Sequence, residues 1–163
     1  MTSIGIISDT HSHMDQKILS YFKDCDQIWH AGDIGDERVL DQLSEIADVK
    51  AVYGNIDNHR IRAMAPENNF FKVEDMNVLI THIAGYPRRY NGTCKALIRE
   101  LKPDVVVVGH SHILKVIYDK EYKHLHINPG AAGKSGFHRL RTLIRLKLDG
   151  KKMSEMEVIE MKR

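Results

Sequence analysis

The sequence predicts an α/β fold of two facing mixed β-sheets flanked by helices, and three observations carry that expectation. The first half alternates short apolar runs with amphipathic stretches, the rhythm of β-α-β units and a parallel sheet. From Ile113 onward the chain is mostly strand-like, which implies a second, more antiparallel sheet packed on the first. Five polar clusters each directly follow an apolar run: Asp9-Thr10-His11, Gly32-Asp33, Gly54-Asn55, Thr81-His82 and Gly109-His110-Ser111-His112. In an open α/β sheet the carboxyl ends of the strands share an edge, and ligands bind there.

Taken in order, Ile4–Ile7 reads as a strand, and within Met14–Asp24 the residues Ile18, Leu19 and Phe22 recur at helical spacing. Gln27–Trp29 is the next strand, and Asp36–Ile46 places Val39, Leu40, Leu43 and Ile46 on one helical face. Val49–Tyr53 ends the alternation. Phe70–Glu74 and Asn77–Thr81 read as a hairpin turning at Asp75-Met76. A helix over Thr93–Leu101, stopped at Lys102-Pro103, leads into a buried strand at Asp104–Val108. Lys115–Asp119, His124–Ile127, Leu140–Leu148 and Met153–Met161 complete the strands, with turns at Asp119–Glu121, Asn128–Gly133 and Asp149-Gly150. A length of 163 residues suits a single domain over 1–163, and no repeat, low-complexity stretch or linker divides it.

A net charge of +2 gives no electrostatic case for dedicated nucleic-acid or membrane-surface binding. Cys25 and Cys94 lie far apart without a C-x-x-C pattern, so reduced thiols are expected rather than a disulfide or a zinc site. No basic segment followed by a long apolar one opens the chain, and no run is long enough to cross a bilayer, so a cytoplasmic protein is expected. Whether it forms a homo-oligomer is not legible.

If the polar clusters share an edge, Asp9, His11, Asp33, Asn55, His82, His110 and His112 meet in one cleft. Carboxylate and neutral imidazole are ligands for divalent transition metals. Seven such groups exceed what one ion accepts, so two ions sharing a carboxylate are expected. Asp33 is the candidate bridge, because Gly32 leaves room for close backbone approach. Two ions about 3.5–4 Å apart clamp the oxygens of a phosphate ester and generate hydroxide at neutral pH. Asp9 and His11, two residues apart, are expected on one side of an extended segment, and so are His110 and His112. The neutral amide of Asn55 keeps the ligand charge low enough for an anionic substrate. A Gly-Asp or Gly-Asn pair alone mostly marks a turn. Five such elements in order, each after a strand-like run, do not reduce to turn chemistry.

The pattern D-x-H … G-D … G-N … H … G-H-x-H resembles the calcineurin-like metallophosphoesterase family over nearly the whole chain. The short length and the Asn128-Pro129-Gly130-Ala131 turn resemble its small bacterial and archaeal phosphodiesterase branch. The resemblance implies a four-layer α/β/β/α sandwich. It implies that Asp9, His11, Asp33 and His112 hold one ion and that Asp33, Asn55, His82 and His110 hold the other. The usual metal is manganese, with iron, zinc, nickel or cobalt in some members. The wider family reads Gly-Asn-His-Asp/Glu, whereas this chain has Gly54-Asn55-Ile56-Asp57, so the histidine that protonates the leaving group is absent. Asp57 matches the acidic position and is expected to orient a ligand histidine. His59 is the remaining nearby candidate for the acid. Ile83 and Ala84 stand where relatives often carry glycine and a further histidine, which changes the pocket wall.

The other polar residues receive structural readings. His13 is expected at a helix cap or rim, and His30 behind the ligands or in a structural role. His124 and His126 alternate on a strand and are expected on an exposed face. His138, Arg139 and Arg141 form a basic patch expected to be solvated, as is Arg88-Arg89 in the loop Gly85–Gly92. The expected function is dinuclear-metal-dependent hydrolysis of small-molecule phosphoric esters, diesters ahead of monoesters, by a metal-bridging hydroxide. Asp33, Asn55 and His82 would hold the nucleophile and stabilise charge. The alternative is a metal-binding protein-interaction scaffold of the kind found in the retromer coat. All seven ligands having the right chemistry favours the enzyme.

Overall fold

The computed structural model describes residues 1–163 and contains two five-stranded sheets. In the first, β1 (Thr2–Ile7), β2 (Gln27–His30) and β3 (Asp48–Ala51) run parallel, joined by α1 (Gln16–Phe22) and α2 (Glu37–Ser44). Its other half is the antiparallel hairpin β9 (Leu140–Asp149) and β10 (Lys152–Lys162), with β9 paired to β1. The second sheet runs β4-β5-β6-β8-β7: β4 (Asn68–Val73), β5 (Met76–Thr81), β6 (Val105–Val107), β8 (His124–Asn128) and β7 (Lys115–Asp119). β5, β6 and β8 are parallel, and the edges β4 and β7 are antiparallel.

Two expectations change here. The five apolar runs lie in two sheets, three in the first and two in the second, rather than along one edge. The strands after Ile113 also divide: β7 and β8 join the second sheet, while β9 and β10 complete the first. The physical reason is visible in β9. Leu143 packs in the core under the helices, whereas Ile144, Leu146 and Leu148 pack between the sheets. A strand buried on both faces, as β9 is over 141–144, belongs in a sheet interior, and β9 fills the open side of β1.

The period of two along β1 places Ile4 and Ile6 between the sheets with Trp29, Ile80, Val105 and Val107, and turns Ile7 towards the helices. Ile18 and Phe22 of α1, Leu40 and Leu43 of α2, and Ile61 of α3 (His59–Met64) cover the outer face of the first sheet. α4 (Gly92–Leu101) packs Cys94 and Ile98 on the outer face of the second. Layers of helix, sheet, sheet and helix result, as expected. Each helix begins at a side-chain cap, Asp15, Asp36, Asn58 or Asn91, whose oxygen accepts a free backbone N–H. α3 has six residues and buries only Ile61, too little to leave a helical period in the sequence. Both cysteines are buried and free. No helix is long and apolar enough to cross a membrane.

Candidate metal centre

The loops that leave β1, β2, β3, β5 and β6 at their carboxyl ends carry all seven expected ligands. Cross-strand hydrogen bonds tie them together: Asp9 N to Gly32 O (2.9 Å), His11 N to Asp33 O (3.0 Å) and Gly109 N to His82 O (3.1 Å). Five of the ligands occupy the left-handed region, Asp9, His11, Asp33, His110 and His112, with φ between 44° and 72°. Such backbone costs about 1–3 kcal/mol per residue and persists where surrounding structure enforces it. The extended-segment expectation for Asp9 and His11 is therefore corrected. They turn to the same side through a tight loop, while Thr10 turns away to Ile34 O (2.9 Å) and His30 Nε2 (3.0 Å). His110 and His112 are also left-handed rather than extended, and they take one set each, in line with the expected division between two ions.

Two sets of potential ligands lie side by side: Asp9, His11 and His112, and Asp33, His82 and His110. In the first, His112 Nε2 stands 3.2 Å and His11 Nε2 3.9 Å from Asp9 Oδ1. In the second, His82 Nε2 is 3.3 Å from Asp33 Oδ2, and Asn55 Oδ1 is 3.1 Å from both His82 Nε2 and His110 Nδ1. Asp33 Oδ2 is also 3.4 Å from His11 Nε2, so one carboxylate faces both sets.

The chemistry of these contacts fits divalent ions. His82 Nδ1 lies 2.7 Å from Ala31 O and donates its proton there. That leaves Nε2 as a lone pair facing the oxygens of Asp33 and Asn55 unless a second proton binds it. Asp9 Oδ1 and His11 Nε2 are buried with no hydrogen-bond partner. Orphaned buried polar atoms cost free energy, and a cation among them removes the cost. The other oxygen of Asp9 is fully engaged, accepting from Ser8 Oγ (2.6 Å) and His110 N (3.1 Å), which aims Oδ1 into the cleft. Burial alone would raise the Asp33 carboxyl. The partners His11, His82 and the backbone N–H of Ile56 instead hold it well below the usual carboxylate range.

The glycine in each of three motifs makes room for a ligand from a different loop. A Cβ on Gly32 would lie 2.6 Å from His82 Nδ1, one on Gly54 would overlap Asp33 Oδ1, and one on Gly109 would overlap Ser8 Oγ and crowd Asp9. The Gly-Asp, Gly-Asn and Gly-His pairs are thus interlocked, each glycine admitting the neighbour's side chain.

Behind the ligands, Asp57 accepts from Gly54 N (2.7 Å), Gly35 N (2.8 Å) and Ile34 N (3.1 Å). It clamps the Asp33 loop to the Asn55 loop; the expected contact to a ligand histidine is replaced by three backbone N–H groups. His30 is fully buried, bonded to Thr10 Oγ1 and to Gly32 N (3.1 Å), and burial pushes its pKa down to about 4. Asn128, read as a turn residue, donates from Nδ2 to Gly109 O and Ser111 Oγ at 3.1 Å each and so holds the loop of His110 and His112. Its burial behind β6 was not readable from a Pro-Gly turn signal. His13 pairs with the cap residue Asp15 (2.9 Å), in keeping with the cap reading. His59 is exposed at the first residue of α3 and belongs to neither set.

Two surface assignments are corrected. His124 and His126 are fully buried under Tyr86, Tyr90 and Tyr122, both bonded to the Tyr90 hydroxyl (2.9 and 2.8 Å), with Asp119 3.9 Å from His124. These rings cover the strand there, so the alternation that looked like an exposed face marks a buried one. Arg141 is also buried, donating to Ala132 O (2.7 Å) and Asp15 (2.8 Å). Arg88 and Arg89 are exposed as expected.

A model of the calcineurin-like phosphoesterase superfamily domain matches residues 2–151. A probable metallophosphoesterase of Methanothermobacter thermautotrophicus is 35% identical over 67% of this chain and 66% of its own length. A second probable metallophosphoesterase, of Methanocaldococcus jannaschii, is matched over only 58% of its length. A phosphodiesterase of the same organism is 30% identical over 78% of this chain and 82% of its own. Among solved structures, an archaeal phosphodiesterase superposes with a TM-score of 0.77 over 98% of this chain and 99% of its own at 24% identity. Vps29 of Chaetomium thermophilum superposes with a TM-score of 0.78 over 99% and 97% at 16% identity. The family match spans nearly all of the chain and all seven converging ligands: the protein belongs to the calcineurin-like phosphoesterase superfamily.

Proposed function

We propose that the protein hydrolyses phosphoric esters, diesters ahead of monoesters, with two divalent ions held by Asp9, His11, Asp33, Asn55, His82, His110 and His112. The observation that carries this reading is the single carboxylate of Asp33, 3.3 Å from His82 Nε2 in one ligand set and 3.4 Å from His11 Nε2 in the other. Bound ions would supply Lewis acidity and a nucleophile at neutral pH, and manganese is the first to test. The protein's own part is positioning. Asp9 is aimed by Ser8 and His110 N, and His82 is fixed in one tautomer by Ala31 O. Asp57 holds the two central loops at a set separation. A neutral Asn55 leaves charge on the ions for an anionic substrate. No proton donor occupies position 56, which favours esters with good leaving groups.

The test is to strip the protein of metal, restore manganese, nickel, zinc or iron one at a time, and assay phosphodiesters against monoesters. Two ions per chain and metal-dependent turnover support the reading; two bound ions with no turnover of any ester overturn the enzyme. That second outcome would favour the interaction scaffold, since a fold this close to Vps29 is not by itself evidence of catalysis. The exposed apolar side chains of β7, Val116, Ile117 and Tyr118, would then be the surface to examine.

A further inference from the structure

Two clefts open on the second ligand set and share a wall. One, of about 330 Å³, runs from Asn55 and His82 past Arg62, Asn68 and Thr93. The other, of about 320 Å³, runs from His110 and Ser111 past Tyr86 and Arg89. Ile83 and Asn91 line both. The wall is firmly held. Asn91 Nδ2 donates to Ile83 O (3.0 Å), Asn91 N donates to Ala84 O (3.0 Å), and Asn91 Oδ1 accepts from Cys94 N (2.8 Å) as the cap of α4. On this fixed backbone the Ile83 side chain stands 46% exposed. Asn55 Oδ1, in the first cleft, lies 3.1 Å from a ligand histidine that lines each: His82 in the first and His110 in the second.

Their chemistry differs. The first is polar: the Arg62 guanidinium lies 4.4 Å from the Tyr53 ring centre, and its Nε donates to Asp57 O (2.8 Å), which pins the side chain and leaves the terminal nitrogens uncommitted. Asn68, Thr81 and Thr93 add further hydrogen-bonding groups. The second is lined by Ile83, Ala84 and Tyr86, together with Arg89. Small-ligand sites are typically about 300–1,000 Å³, so each cleft suits one organic arm and not a polymer.

We infer that the substrate is a phosphodiester with two unlike arms, a polar nucleoside-like or sugar-like arm in the Arg62 cleft and a less polar arm in the Tyr86 cleft, divided by Ile83. This rests on the phosphoesterase reading above and goes beyond it in assigning each arm a place. A monoester fills only one cleft, and a diester uses both, so the two-cleft site discriminates by arm rather than by the reacting phosphate.

The test uses the metal-loaded full chain with three probes: thymidine para-nitrophenyl phosphodiester, bis(para-nitrophenyl) phosphate and para-nitrophenyl phosphate. Arg62→Ala should raise KM for the thymidine diester at least five-fold more than for the bis-nitrophenyl diester. Ile83→Trp, which enlarges the wall, should raise KM for both diesters more than for the monoester. Calorimetric binding of a non-hydrolysed thymidine phosphonate ester should lose the same factor in Arg62→Ala, with metal content and melting temperature confirming that the variant is folded. Equal changes for all probes, or no change in any, overturn the two-arm assignment while wild-type turnover leaves the hydrolase standing. If wild-type protein turns over no ester, the hydrolase fails, and the calorimetric comparison alone then supports or overturns the arm assignment.

Discussion

The protein has two clusters of histidines, one lining a partly exposed cleft and one fully buried, and they are built differently. In the centre at the carboxyl edges, His11, His82 and His112 face the carboxylates of Asp9 and Asp33, with His11 and His112 on left-handed backbone, and Asp9 Oδ1 and His11 Nε2 have no hydrogen-bond partner. His124 and His126 sit on the regular strand β8 beneath Tyr86 and Tyr90 and share the Tyr90 hydroxyl. Unpartnered buried atoms do not separate them, because the second cluster also leaves His124 Nδ1, His126 Nε2 and Asp119 Oδ2 without a hydrogen-bond partner. Histidine density therefore says little. What separates the two is left-handed backbone at the ligands, carboxylates opposed to imidazole lone pairs, and glycines that clear space for neighbouring ligands.

The largest effect should come from removing the carboxylate that both ligand sets share. Asp33→Asn should lose both ions, or at least a thousand-fold in turnover, because an amide bridges two cations poorly and the loss falls in kcat/KM as roughly 4 kcal/mol or more of transition-state stabilisation. Metal analysis by mass spectrometry alongside kinetics decides it. Two ions in an active Asp33→Asn protein would sink the bridging role.

His124→Ala should behave in the reverse way, leaving metal content intact and costing about 1–3 kcal/mol of stability through the lost hydrogen bond to Tyr90, which keeps its bond to His126, and the hole left behind. Chemical denaturation with metal analysis separates the two. Loss of metal without loss of stability would erase the distinction between the clusters.

Acid should also distinguish them. Burial, reinforced by the charges of His124 and Lys115 and opposed by Asp119, pushes the His126 pKa down to about 4, and burial also lowers His124 despite Asp119. Tyr90 lies against both and stays neutral, its own pKa driven upward by burial. With a folded value below the unfolded one of about 6.5, the unfolded chain binds the proton first. Stability from this cluster is then complete above about pH 6.5 and declines as pH falls towards 4. The ligand histidines have the opposite sign. The facing carboxylate of Asp33 raises His11 against the pull of burial, and burial of His82 is outweighed by Asp33 and Asp9. In metal-free protein their contribution is full below about pH 6.5 and fades as pH rises through the raised values. Melting curves of metal-free protein should therefore fall between pH 6.5 and 4 less steeply in His126→Gln than in the natural chain. An unchanged slope would remove His126 from the acid response.

Much of the ligand set was legible because it depends on residue type and order: Asp9, Asp33, Asn55 and the four histidines needed only to follow strand ends. What stayed hidden depends on the third dimension. The side chain of Asn128 reaches Gly109 and Ser111, 19 and 17 residues away, and a Pro-Gly turn signal masks that reach. Arg141 looked like part of a basic surface patch, yet Asp15 lies 126 residues away in sequence and 2.8 Å away in space. The exposed reading of His124 and His126 failed because Tyr86 and Tyr90, which pack over them, come from a loop more than thirty residues earlier. The division of the late strands between two sheets was hidden for a related reason. Only the two-faced burial of β9, once seen, explains why it pairs with β1.

The smallest effect lies at the border of the metal centre, where the chain lacks a proton donor. Ile56 is 47% exposed, and its backbone N–H donates to Asp33 Oδ1 (3.1 Å), so its side chain starts beside the proposed bridge without being packed into the core. Exposure means that an imidazole can replace it with little loss of stability. If no group now protonates the departing oxygen, turnover should fall steeply as the leaving group becomes more basic. Ile56→His should then flatten that dependence, improving the poorest leaving groups by about ten-fold to a hundred-fold, the low end of general-acid catalysis, and the best ones little. His59, exposed at the start of α3, is the competing donor, and His59→Ala in the natural chain should leave the slope as it is. A natural slope that is already flat, and that steepens in His59→Ala, would assign the proton to His59 and leave position 56 without a catalytic consequence.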